Sequence, residues 1–170
     1  PQPEQYQDML KDEQLIARTQ HFEFQRPNAG YAFFAWNQQR GGKPTLFTDK
    51  RVRQAMTLLT DRKRIIEEIY LGDGQVVTGP FSPLTQQSDK SVEPWPFDTS
   101  RAKALLAEAG YEDRDGDGVL ESADGQMLRF ELTYPANSDT YARLVLFVKD
   151  TFARAGVVVD PRPVEWSVLL

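Results

Sequence analysis

Residues 128–164 read L-R-F-E-L-T-Y-P-A-N-S-D-T-Y-A-R-L-V-L-F-V-K-D-T-F-A-R-A-G-V-V-V-D-P-R-P-V, and this stretch decides the fold class. Leu128, Phe130, Leu132 and Tyr134 alternate with Arg129, Glu131 and Thr133, the two-residue period of a half-buried strand. Ser138 or Asp139 can accept hydrogen bonds from the free amides that open a helix. That helix is expected to run to about Ala155, with Leu144, Phe147, Val148, Thr151 and Phe152 on its inner face and Gly156 ending it. Val157, Val158 and Val159 start a second strand towards Val164, and Pro161 and Pro163 make it an edge or bulged one. Strand, helix and strand of these lengths form a right-handed βαβ crossover with parallel strands. The expected class is α/β (α+β), a mixed β-sheet with helices packed on it.

Working outward, residues 47–72 (F-T-D-K-R-V-R-Q-A-M-T-L-L-T-D-R-K-R-I-I-E-E-I-Y-L-G) read as two short helices end to end. Val52, Ala55, Met56 and Leu59 make the first apolar stripe, Ile65, Ile66, Ile69 and Tyr70 the second. Thr48 or Asp49 caps the first helix, Thr60 or Asp61 restarts the pattern, and Gly72 closes it. Arg53 and Asp61 are expected to brace this region as an ion pair or cap. Residues 74–93 lack periodicity and read as a long connection. Asp98 then caps a helix whose stripe is Ala102, Leu105, Leu106 and Ala109, with Gly110 after its end. Upstream, Phe22 and Phe24 alternate with polar residues, residues 26–30 read as a turn, and residues 31–37 (Y-A-F-F-A-W-N) as an aromatic strand. A hairpin is expected there, with residues 40–44 as a loop. Residues 1–18 are polar, spaced for a short helix.

The 170 residues, 40% of them hydrophobic, suffice for one core, so a single domain over 1–170 is expected. A net charge of -5 argues against nucleic-acid partners, which want a basic stripe. The lone histidine, His21, and the absence of cysteine leave no basis for a Ser-His-Asp triad, a thiol nucleophile or a multi-histidine metal site. No apolar run reaches the roughly 18 residues of a membrane span. The opening P-Q-P-E and the ending E-W-S-V-L-L suggest an excised domain, with 1–20 and 165–170 as truncated connections.

Three phrases carry a resemblance. F-T-D-K-R-V-R-Q-A-M-T-L-L-T-D-R, W-P-F-D-T-S-R-A-K-A-L-L-A-E-A-G-Y and R-P-V-E-W-S-V-L-L, in this order, are similar to segments of the family 5 extracellular solute-binding proteins. Those are the peptide- and nickel-binding receptors of ABC importers. The resemblance implies one lobe of a periplasmic-binding-protein-like type II fold, the inserted domain of the C-terminal lobe. It implies a receptor rather than an enzyme, binding peptide or another small solute by lobe closure and docking on ABC permease subunits. An extracytoplasmic location follows, in the periplasm or on the outer face of the cytoplasmic membrane, with a lipoprotein anchor on the full-length protein. In the peptide receptors the Trp of the E-W phrase lines a ligand pocket, which makes Trp166 a cleft candidate. The acid that meets a peptide amino group would lie beyond residue 170.

Two places could carry chemistry. Ligands sit beyond the carboxyl ends of parallel strands, which selects Tyr134 and Asn137, the latter able to donate and accept or simply to cap the turn. Residues 113–124 have the spacing of a calcium loop. Asp113, Asp115 and Asp117 occupy positions 1, 3 and 5, Gly118 the sharp turn, Val119 the carbonyl at 7 and Asp124 position 12. Asp in place of Glu at that last position shortens the reach and lowers affinity. A helix enters this loop and a strand leaves it, so it is not a paired EF-hand. No cofactor is required by this reading, and Ca2+ is the one structural candidate against a metal-free Asp/Gly turn. The alternatives to a receptor lobe are a stand-alone calcium-binding surface module and, last, a carboxylate-based hydrolase.

Overall fold

The computed structural model describes residues 3–22, 24–25 and 30–169. Packing divides the chain into two units, residues 1–33 with 66–94 and residues 34–65 with 95–170.

The first unit opens with two short helices, α1 (Pro3–Met9) and α2 (Glu13–Ile16), the second capped by Asp12, whose carboxylate accepts from the Leu15 amide at 3.0 Å. Ile16 is exposed because four residues cannot bury a face. His21 is also exposed, and its Nε2 sits 2.6 Å from the Tyr6 hydroxyl. Phe22 and Phe24, expected in a half-buried strand, are each 78% exposed and belong to no ladder. The turn expected at 26–30 lies outside the described residues except for Gly30. Residues 74–94 contain no helix or strand, as the missing periodicity foretold.

The second unit contains all the strands and the longer helices among the described residues. Residues 40–44, expected as a loop, belong to a hairpin, in which β1 (Gln39–Arg40) pairs antiparallel with β2 (Lys43–Pro44). Gly41 and Gly42, with φ of 57° and 75°, supply the two left-handed positions that a two-residue hairpin turn needs. The expected aromatic strand at 31–37 forms no ladder. A 3-10 turn (Leu46–Thr48) then leads into α3 (Lys50–Leu59), where the Asp49 carboxylate accepts from the Arg51 amide at 2.7 Å. Val52, Ala55, Met56, Leu58 and Leu59 are completely buried. Arg53 does not pair with Asp61. Its Nη1 donates to the carbonyls of Phe47 and Thr48, at 2.6 and 2.9 Å, while Asp61 caps α4 (Arg62–Arg64) by accepting from the Arg64 amide.

Here the second expected helix departs from α geometry. Ile65–Ile69 is a π turn, with Ile65 and Ile69 buried and Ile66 and Tyr70 half-buried. It closes through Leu71 and Gly72, both left-handed, and the Gly72 amide donates to the Ile66 carbonyl at 2.9 Å. The sequence pattern assigns the left-handed position to Gly72 alone.

α5 (Thr99–Glu108) packs along α3. Asp98 caps it through the Arg101 amide and is tied back to α3 through its own amide and the Leu58 carbonyl. Then come β3 (Arg129–Pro135), α6 (Asp139–Ala153) and β4 (Val158–Val164). The strands pair in parallel from Arg129↔Val158 to Pro135↔Val164, the expected crossover. α6 is capped by Ser138 and buries Leu144, Val145, Val148 and Phe152. Val145 takes the place foreseen for Phe147, which is half-buried under the Arg64 guanidinium. Among the described residues the strands form two separate two-stranded sheets, one antiparallel and one parallel.

Candidate functional site

β3 and β4 end at the same edge because they are parallel and in register, Tyr134 opposite Pro163 and Pro135 opposite Val164. The Ala136 amide donates to the Val164 carbonyl at 2.8 Å, holding the two exits together one residue further. From this edge α6 follows β3 and α7 (Trp166–Leu169) follows β4. Tyr134 is half-buried, Asn137 is exposed, and Trp166 is 54% exposed at the first position of α7. Ser138, not Asn137, caps α6, its hydroxyl accepting from the Tyr141 amide at 3.4 Å. Asn137 keeps its side-chain amide clear of hydrogen bonds among the described residues. The edge therefore presents a phenol, a carboxamide and an indole, groups that meet peptide bonds and apolar side chains by hydrogen bonding and stacking.

The acidic loop sits at the other end of the strands. Asp113, Asp115 and Asp117 are exposed, and one carboxylate oxygen from each lies within 4.8 Å of the others. Each also accepts backbone amides. Asp113 receives Gly116 and Gly118, Asp115 receives Asp117, and Asp117 receives Val119 at 2.7 Å. Asp124 is engaged in the next turn by the Ser122 hydroxyl and the Gln126 amide, apart from those three. Sequence reasoning missed Glu121. It is buried, its carboxylate accepts from the Arg114 amide at 3.1 Å, and its backbone exchanges two hydrogen bonds with Glu112. The signal available was a lone acid directly after the apolar pair Val119-Leu120.

Gly156 locks this loop to the crossover. Leu120 donates its amide to the Gly156 carbonyl at 2.8 Å, and a Cβ on Gly156 would lie 2.7 Å from Leu120 Cγ. Elsewhere, hydrogen bonds from Arg51 hold the Asp49 carboxyl below the usual carboxylate range, and Arg129 does the same for Asp160. Burial pushes the Tyr111 phenol up, aided by Asp49 and Asp124. None of these shifted groups lies at the strand-end edge.

A parallel pair joined by a helix leaves both strand carboxyl ends at one edge. The family model for bacterial extracellular solute-binding proteins, family 5 Middle, matches residues 1–170, and the chain belongs to that family. The oligopeptide-binding protein AppA of Bacillus subtilis is 34% identical over 142 residues, 82% of this chain and 25% of AppA. Heme-binding protein A of Haemophilus influenzae is 28% identical over 137 residues, covering 80% and 22%. Among solved structures, AppA in complex with a nonapeptide superposes with a TM-score of 0.68 at 36% identity, covering 73% of this chain and 25% of that one. The oligopeptide-binding protein of Thermus thermophilus with a pentapeptide gives 0.66 at 25% identity, covering 72% and 21%. The fold is thus that of the type II binding proteins. The chain spans about a quarter of the length of these relatives. No helix among the described residues is long and apolar enough to cross a membrane.

Proposed function

We propose that this chain is the substrate-binding lobe of an ABC-importer receptor for oligopeptides or dipeptides. The single observation carrying this reading is the family match over the whole chain, with a peptide-bound relative sharing the fold. Binding proceeds by hinge closure of two lobes on the solute, without catalysis, and the closed receptor docks on its permease. The receptor works outside the cytoplasmic membrane, with a lipid anchor on its full-length form. Trp166, Tyr134 and Asn137 face the solute from the carboxyl ends of β3 and β4. Calorimetry on the full-length receptor with a panel of dipeptides and oligopeptides, and with haem, tests this. Peptide binding weakened by Trp166→Ala supports it, and a receptor that takes only haem removes it. At the strand-end edge the 170-residue chain alone is expected to bind peptides weakly or not at all, and a micromolar affinity that Trp166→Ala abolishes would contradict that.

A structural role for Ca2+ is also proposed. The donor set is Asp113, Asp115, Asp117 and the Val119 carbonyl, supported by the approach of the three carboxylates within 4.8 Å. Asp124 would have to leave Ser122 and Gln126 to join them. The ion would brace the connection from α5 to β3. A rise in melting temperature at millimolar Ca2+, lost in Asp115→Asn, is the expected outcome; no shift disposes of the idea. A stand-alone calcium-binding module finds no support among the relatives.

A further inference from the structure

α3 carries a line of side chains that the core does not use. Lys50, Arg53, Gln54 and Thr57 recur at three- and four-residue steps, and together with Trp95 they border a groove of about 310 Å3. Trp95 is held once at its backbone and once at its ring. Arg62 donates to the Trp95 carbonyl at 2.9 Å, and the Arg101 guanidinium lies 5.5 Å from the ring centroid. Arg53 is fixed as well, by its bonds to the Phe47 and Thr48 carbonyls. No carboxylate lines the groove, and Lys50 has no ion-pair partner among the described residues. The groove is therefore locally cationic on a chain whose net charge is -5.

We propose that this groove docks an acidic segment of a protein partner, with an apolar side chain on Trp95 and carboxylates reaching Lys50 and Arg101. Charge complementarity sets the sign of the occupant. Length sets its kind. From Lys50 to Thr57 the helix rises about 10 Å, which three or four residues of extended chain span and a small free anion does not. The indole, with the Arg101 guanidinium over its ring, supplies a flat apolar platform of the kind that makes Trp an interface anchor.

The test uses this chain and a short synthetic peptide of alternating glutamate and leucine, with its glutamine–leucine counterpart, measured by calorimetry at low salt. The chain binds the acidic peptide and not the glutamine one. Lys50→Glu and Arg101→Glu each weaken binding about tenfold or more, Lys50→Arg retains it, and all three keep the parental melting temperature. Trp166→Ala leaves it unchanged, which separates the groove from the strand-end edge. Equal binding of both peptides, indifference to Lys50→Glu, or loss in Trp166→Ala overturns the proposal. So does binding to vesicles of phosphatidylcholine and phosphatidylglycerol in equal parts that exceeds peptide binding, which would assign the groove to a membrane surface.

Discussion

Residues 31–37 and 128–134 both read as strands, the first apolar on both faces and the second alternating, and only the second becomes one. At 128–134 the pattern is realised in full. Leu128 is completely buried, Phe130, Leu132 and Tyr134 are half-buried, and Arg129, Glu131 and Thr133 face solvent. At 31–37 Phe33 is 71% exposed and Tyr31 meets its ring at 5.7 Å, while Phe34 and Trp36 are half-buried. Trp36 stacks on Phe47 at 4.8 Å and meets Phe130 edge-on at 5.6 Å, so it is held by its ring rather than by its backbone. The difference is delivery. A ladder needs a second backbone about 4.8 Å away, and α6 turns the chain back to place β4 there. No element among the described residues does so for 31–37. An apolar pattern states which side of a strand faces inward and leaves open what lies next to it.

That contrast can be broken at its strongest point first. Phe152 is the largest completely buried side chain and seats α6 on the parallel pair. Phe152→Ala is expected to cost about 3–5 kcal/mol in urea unfolding, enough to prevent folding of a marginal domain. Gly156→Ala comes next, at about 2 kcal/mol or more, because Gly156 has φ +81° and its new methyl would meet Leu120. Adding Leu120→Ala should recover part of that loss by removing the clash while the backbone strain persists; no recovery would show that the clash is not the cause. Phe33→Ser should move stability by no more than about 0.5 kcal/mol, since a side chain this exposed loses little. A loss above about 2 kcal/mol there would mean that residues 31–37 bury their rings in solution and that the two regions do not differ as described.

The features legible in the sequence were local ones. Asp49, Asp98 and Ser138 cap their helices because a side-chain oxygen at that position satisfies amides only two or three residues away. The βαβ unit was legible for the same reason, three consecutive elements with distinct periods. The π turn was not, because over five residues the wider winding and the ordinary α winding place Ile65 and Ile69 on the same side. Arg53 was foreseen as a brace, but its partners are carbonyls one turn back, which no pattern of charges announces. At the candidate edge, Tyr134 and Asn137 followed from strand direction alone. Trp95 entered only as the first residue of one family phrase, since its groove requires α3 to lie beside it.

One further consequence comes from the outer face of the parallel pair. Arg129 forms a bidentate bridge to Asp160, and Arg162 donates to Glu131 at 2.6 Å, each pair stepping diagonally across the ladder. Both bridges are exposed and contribute little to stability one by one. Their order matters more than their strength. A slide of β4 by one residue would turn its apolar face outward, and burial alone forbids it. A slide by two keeps the faces correct, so burial cannot object. Here the charges speak. In the native register Glu131 lies directly across from Asp160, each acid held by an arginine one diagonal step away; with Thr133 opposite Asp160 the two acids would still meet, now on the diagonal, and both arginines would lose them. The reverse slide, with Arg129 opposite Asp160, would bring the two arginines to the same diagonal step while each keeps an acid directly across. The four charges thus act as a pawl on the strands, a stop that is firm against slippage one way and lenient the other, set while the crossover closes.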